Sequence, residues 1–143
     1  GEDSETAICT LSSMILKNFI VDGKFDFKLL KQEVRKAVRV LNKVIDINAY
    51  ITTKGDRGGR NQRAIGIGVQ GLADTFFLLD HSFDSPEAKG LNKKIFETIY
   101  FAAIAESCKL CEDGVYSPYK YFEGSPMSQG IFQFDMWNKE GGE

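Results

Sequence analysis

Long apolar runs are missing from this 143-residue chain. None approaches the roughly 20 residues that cross a bilayer. The start, Gly-Glu-Asp-Ser-Glu, is acidic, the reverse of a signal peptide. An excess of either charge is missing too: 18 basic against 20 acidic residues leave a net charge of −2. Such a balance sets up no field to gather nucleic acid or an anionic membrane. Cysteine is scarce, and three thiols in a mixed-charge chain fit a reducing compartment better than a disulfide framework. The expected location is cytoplasmic. With His81 as the one histidine, a histidine-built metal site has little to work with. The first residue is Gly rather than Met, so the chain is expected to be trimmed or cut from something longer.

What remains is ordinary globular material, 43% hydrophobic and the length of one typical domain. Residues 6–13 mix Ile, Thr, Cys and Leu without clean alternation, which predicts a short strand covered on both faces. Met14 to Val21 is apolar and ends at the turn signal Asp22-Gly23. Asp26 is placed to cap a helix in which Phe27, Leu30, Val34, Val38, Leu41 and Ile45 recur at helical spacing. Residues 52–63, with three glycines and a run of basic groups, predict an exposed loop. A strand over Ala64–Val69 and a helix over Leu72–Leu79 follow. Ser85-Pro86-Glu87 starts a second amphipathic helix lined by Leu91, Ile95, Ile99, Ala102 or Ala103, and Leu110, with Gly114 to stop it. Tyr116 to Trp137 is irregular and aromatic, and Ile131-Phe132-Gln133-Phe134 is a candidate strand.

Three places could carry chemistry. Gly66-Ile67-Gly68-Val69-Gln70-Gly71 matches GxGxxG between a strand and a helix, the pattern that brings backbone amides against a pyrophosphate. That use also needs an acid at the end of a second strand about 20 residues on. Asp80 and Asp84 have no strand before them, so tight packing explains the glycines better. Cys108-Lys109-Leu110-Cys111 is a C-x-x-C near a helix C-terminus, where the dipole disfavours a thiolate. The plainer reading is two small apolar side chains. Cys9 stands in the strand Ala7-Ile8-Cys9-Thr10-Leu11-Ser12, and nothing beside it in sequence activates it.

The order of segments resembles the large subunit of class I ribonucleotide reductase. The similarity is carried by Ala7–Ser12 and by Leu41-Asn42-Lys43-Val44-Ile45-Asp46-Ile47-Asn48. It continues through Ile65-Gly66-Ile67-Gly68-Val69-Gln70-Gly71-Leu72-Ala73-Asp74 and Leu91–Tyr100. Glu123-Gly124-Ser125-Pro126 and Gly130-Ile131-Phe132-Gln133-Phe134-Asp135-Met136-Trp137 complete it. The resemblance runs from about Thr6 to Trp137. It implies an α/β fold: a helix-rich segment, with a few short strands, of a ten-stranded barrel, incomplete at both ends over residues 1–143.

The same resemblance implies a role for Cys9 as second member of the redox-active pair that reduces a ribonucleotide. In that chemistry a thiyl radical removes the 3′ hydrogen, the 2′ hydroxyl leaves as water, and the pair ends as a disulfide. Burial beside the substrate would suit such a thiol. The radical cysteine, its Asn-Leu-Cys-x-Glu loop and the partner cysteine are not in this sequence, so the chain alone is expected to be inactive. Cys108 and Cys111 match no functional cysteine of the family. Implied partners are the rest of the large subunit, a small subunit with a radical-generating metal centre, and thioredoxin or glutaredoxin. Ribonucleotide substrate and nucleotide effectors would bind the assembled enzyme. Strand edges of an opened barrel predict that the isolated chain is partly disordered or prone to aggregate. Two rivals are a non-catalytic helical interaction module and a small dinucleotide-binding domain using Gly66–Gly71.

Overall fold

The helix-capping and periodicity signals account for the longest elements. In a computed structural model, residues 4–137 are described. Asp26 accepts a hydrogen bond from the backbone amide of Leu29 at 2.9 Å and starts helix α1, Phe27–Ile47. The side chains of Leu30, Val34, Val38, Leu41 and Ile45 form its buried stripe. Ser85 accepts from the amide of Ala88 at 3.1 Å and starts a second long helix, Pro86–Glu112. Its buried positions are Ala88, Ile95, Ile99, Ala102 and, unexpectedly, Glu106. That carboxylate bonds Arg39 and lies 3.7 Å from Arg35, both one turn apart on α1, so its burial is compensated.

Four strands are present among the described residues: β1 (Cys9–Ile15), β2 (Ile20–Val21), β3 (Lys24–Phe25) and β4 (Ala64–Gln70). β2 and β3 form an antiparallel pair whose turn, Asp22-Gly23, has positive φ at both residues (50° and 70°), the geometry a two-residue hairpin favours. A 3-10 turn at Leu16–Phe19 joins β1 to β2 and buries both its end residues. β1 and β4 run parallel, Cys9 opposite Ala64 through Ile15 opposite Gln70. Parallel neighbours need a crossover, here α1 followed by helix α2, Thr53–Gln62. Helix α3, Leu72–Leu78, follows β4, and Pro86–Glu112 is therefore α4. The core joins Met14, Leu16 and Phe19 to Leu30 and Val34 of α1 and to Ile95, Ile99 and Ala102 of α4, with Ile67 and Val69 packed against them.

The structure divides into two units, residues 1–109 and 110–143. In the second, the amides of Val115 and Tyr116 both bond the carbonyl of Leu110, with Gly114 at φ 70°. A run of turns leads to α5, Gln133–Trp137.

Four expectations are corrected. Residues 52–63 are not a loop: Thr52 caps α2 by accepting from Gly55 N at 3.1 Å, and the glycines serve close packing. The segment Ile131–Phe134 is not a strand. Asp135 folds back to accept from Phe132 N at 2.8 Å, and the rings of Phe132 and Phe134 stack at 5.5 Å as the chain enters α5. The first strand starts at Cys9 and is covered on one face rather than two. The expected α/β class holds in short strands and long helices, but those strands pair as two separate two-stranded sheets among the described residues, with no closed barrel.

Candidate functional site

Alternation along β1 divides its side chains between two faces. Thr10, Ser12 and Met14 point toward the helices, and Met14 is buried in the core. Cys9, Leu11, Ser13 and Ile15 point the other way and are all exposed. The parallel register lays Ala64, Gly66, Gly68 and Gln70 beside them. A Cβ at Gly66 would lie 3.7 Å from Cys9 Sγ and 2.6 Å from Leu11 Cδ2. The missing side chain lets Leu11 lie across the strand at Gly66, next to the thiol. Leu11 is 72% exposed, an apolar neighbour with nothing over it. The sequence placed Cys9 in a buried strand, whereas the sulfur lies on an outer surface of this chain. The physical reason is plain: α1 and α4 cover one side of the sheet, and no layer within residues 4–109 covers the other. The thiol makes a weak S–H···O approach of 4.0 Å to the carbonyl of Thr10.

Two devices hold this strand end in place, and the sequence analysis named neither. Helix α2 grips the segment before Cys9. Asn61 Nδ2 and Gln62 Nε2 each donate to the Glu5 carboxylate at 2.6 Å, and Thr6 N donates to Lys54 O at 3.1 Å. Gly58 faces the Thr6 backbone so closely that any Cβ would collide with its carbonyl. Gly55 and Gly59 are similarly close to Ile8 and to the ring of Tyr50. The second device fixes β4. Arg63, at φ 45° in the left-handed region, precedes Ala64 directly. Its Nε donates to Asn42 Oδ1 at 3.1 Å, its Nη2 to Asn42 O at 2.8 Å, and its Nη1 pairs with Asp46 at 2.8 Å. Asn42 is itself buried and donates to Val38 O at 2.9 Å. A polar residue in the apolar face of α1 was the one available sign of this network.

The other candidates are not assembled into sites. Gly66 and Gly68 lie inside β4, in ladder register with Leu11 and Ser13, so they form no phosphate-cradling loop. Gly71, at φ 72°, makes the turn into α3, which is only seven residues long. Asp80 and Asp84 fall in the turns after it, with no second strand before them. Cys108 and Cys111 are free thiols in the last turns of α4. His81 is half-buried, its backbone amide bonded to Phe76 O at 2.9 Å. Among the described residues no three His, Cys, Asp or Glu side chains converge where a metal could sit, and no helix is long and apolar enough to cross a membrane.

Comparison with known proteins gives this surface a context. The family model described as "Ribonucleotide reductase, barrel domain" matches residues 1–142. A ribonucleoside-diphosphate reductase large subunit of Monkeypox virus is 53% identical over 138 residues, covering 96% of this chain and 18% of that protein. The large chain of Schizosaccharomyces pombe is 49% identical over 134 residues, covering 94% and 16%. The Danio rerio large subunit is 46% identical over 136 residues, covering 94% and 17%. This chain therefore spans less than a fifth of the length of the curated relatives it matches. With the match extending over nearly every residue, including both strands that frame Cys9, the chain belongs to the ribonucleotide reductase barrel-domain family.

Proposed function

We propose that this chain is part of the large subunit of a ribonucleoside-diphosphate reductase and that Cys9 is one thiol of its reducing pair. The supporting observation is the placement of Cys9: on the exposed face of the β1–β4 sheet, beside the glycine Gly66 of the neighbouring strand. Glycine within a strand commonly marks a place where a ligand or another backbone comes close.

In the complete protein, further strands of a ten-stranded barrel would flank β1 and β4 and cover this face. Cys9 would then be shielded from water, as a thiol beside a radical intermediate needs to be. The reaction balances with two thiols. The C2′–O bond of the ribonucleotide breaks, the oxygen leaves as water, and C2′ gains hydrogen. Cys9 and a partner cysteine give up two hydrogens and close a disulfide. The first hydrogen abstraction belongs to a third cysteine carried elsewhere on the large subunit. The radical itself would come from a metal centre in a small subunit. Among the described residues no cluster of His, Cys, Asp or Glu converges to hold such a centre. Thioredoxin or glutaredoxin would reopen the disulfide, in keeping with a reducing, cytoplasmic setting.

The test is Cys9→Ser in the reassembled reductase. Multiple turnovers driven by an external dithiol should be lost, and bound ribonucleotide should protect wild-type Cys9 from alkylation. Undiminished turnover would remove Cys9 from the chemistry and favour a purely structural role for the segment.

A further inference from the structure

A helix that ends on a left-handed residue ordinarily uses glycine there, or asparagine, because a Cβ is crowded in that conformation. Helix α2 ends instead on Arg63, at φ 45° and ψ 39°. Among the described residues, the other non-glycine positions with positive φ are Asp22 and Asp80, of a type that tolerates the region. A bulky side chain at such a point is an outlier that persists only where its surroundings hold it. The surroundings of Arg63 do. Its guanidinium commits Nε and Nη2 to Asn42 and Nη1 to Asp46, one turn apart on α1. Asn42 is buried and fixed in turn by its bond to Val38 O.

We propose that Arg63 is a positioning residue for Cys9: it clamps the start of β4 to α1, so that β1 carries the thiol within disulfide reach of its partner cysteine. The inference rests on the reading of Cys9 as a reducing thiol. The clamp is internal, since α1, α2 and β4 all belong to this segment. Arg63 immediately precedes Ala64, and Ala64 is the register partner of Cys9. The end of the ladder that holds the thiol is therefore the end tied to Asn42 and Asp46. Glycine at this position would relax the backbone but leave that end free to shift over α1. Arginine accepts local strain and fixes it. Lysine could not do the same, because a single ammonium lacks the planar fork.

Disulfide closure has a narrow geometry, with Cα atoms about 4.4–6.8 Å apart. In that step Cys9 and its partner lose two electrons and two protons as the S–S bond forms. The C2′–O bond of the ribonucleotide breaks, C2′ gains hydrogen, and the oxygen leaves as water. Misplacing a reacting group by about 1 Å can cost about 100-fold in rate. With its guanidinium turned to α1, Arg63 acts on that rate and not on substrate affinity.

The experiment compares Arg63→Gly, Arg63→Lys and Cys9→Ser with wild type in the reassembled reductase. Steady-state turnover is driven by an external dithiol. A single turnover of prereduced enzyme is also quenched in denaturant, and the Cys9 still open to alkylation is counted. Arg63→Gly should keep its melting midpoint, because relief of the left-handed strain offsets the lost bonds. Its kcat and its rate of Cys9 disulfide formation should both fall about 10- to 100-fold, with KM unchanged. Arg63→Lys keeps the charge and lacks the fork, so both rates should fall by a smaller factor. Should Arg63→Gly fail to fold, Arg63→Lys decides alone. Wild-type rates at position 63, with turnover abolished by Cys9→Ser, would overturn the clamp and leave the reading of Cys9 standing. A raised KM at unchanged kcat would overturn it equally. Turnover retained by Cys9→Ser would overturn that reading and the clamp with it.

Discussion

The two faces of the β1–β4 sheet are built from alternate residues of the same two strands, and they have opposite fates. On one, Met14, Ile67 and Val69 meet the apolar stripes of α1 and α4. On the other, Cys9, Leu11, Ser13 and Ile15 stand beside Ala64, Gly66 and Gly68 with no layer over them. The packed core therefore lies on the first face and the exposed thiol on the second. The contrast fits the relatives' far greater length: under the proposed reading, the segment carries its own covering helices, and its bare face would be covered by strands contributed by other segments.

Breaking the covered face should have the largest effect. Leu30 is fully buried in the core cluster between the sheet and both helices. Leu30→Ala should cost about 2–5 kcal/mol, from lost transfer energy plus the cavity left behind. The urea midpoint of the chain measures it. A midpoint close to wild type would mean that this layer does not hold the sheet.

The link between the faces comes next. Gly58 lets α2 press on the Thr6 carbonyl, three residues before Cys9. Gly58→Ala must push helix and segment apart, at a cost of about 1–3 kcal/mol. Unlike Leu30→Ala, it should also change the rate at which Cys9 reacts with an alkylating agent under native conditions. An unchanged rate would separate the α2 grip from the position of the thiol.

How much of this was legible in the sequence depends on whether the cause was local. The stripe of α1 and the caps Asp26 and Ser85 are local signals, and the helices form where those signals lie. The glycines of α2 misled because their purpose is tertiary. Three glycines among basic residues read as a loop until Thr6, Ile8 and Tyr50 occupy the space their side chains would have filled. Glu106 carries no local sign of its burial, since its partners Arg35 and Arg39 belong to another helix far away in sequence. Cys9 was singled out through family resemblance alone. Its strand, Cys-Thr-Leu-Ser-Ser-Met-Ile, mixes small, polar and apolar residues on both faces, so alternation could not say which side would be covered.

Away from both faces, Gly90 offers a control of opposite sign. It lies exposed inside α4, and an added Cβ would meet nothing within 4 Å. Gly90→Ala should stabilise the chain by about 0.5–1 kcal/mol through the smaller backbone entropy it loses on folding. Thermal melting would show it as a higher midpoint, and a lower one would mean that this helix surface is in contact with something.

The smallest effect on stability should fall on the bare face, where it is the most instructive. Leu11 pairs with Gly66 and is 72% exposed. Burial supplies the hydrophobic driving force, so an apolar side chain left in water contributes little to folding. Leu11→Ser should therefore move the urea midpoint by no more than about 0.5 kcal/mol equivalent in the isolated chain. In a reassembled reductase the same substitution should be felt strongly, because there Leu11 would lie in a covered interior next to Cys9. A large loss in the isolated chain would show that this face is already packed on its own. No effect in either setting would show that it is never covered, and the comparison between the two faces would then be one of packing alone.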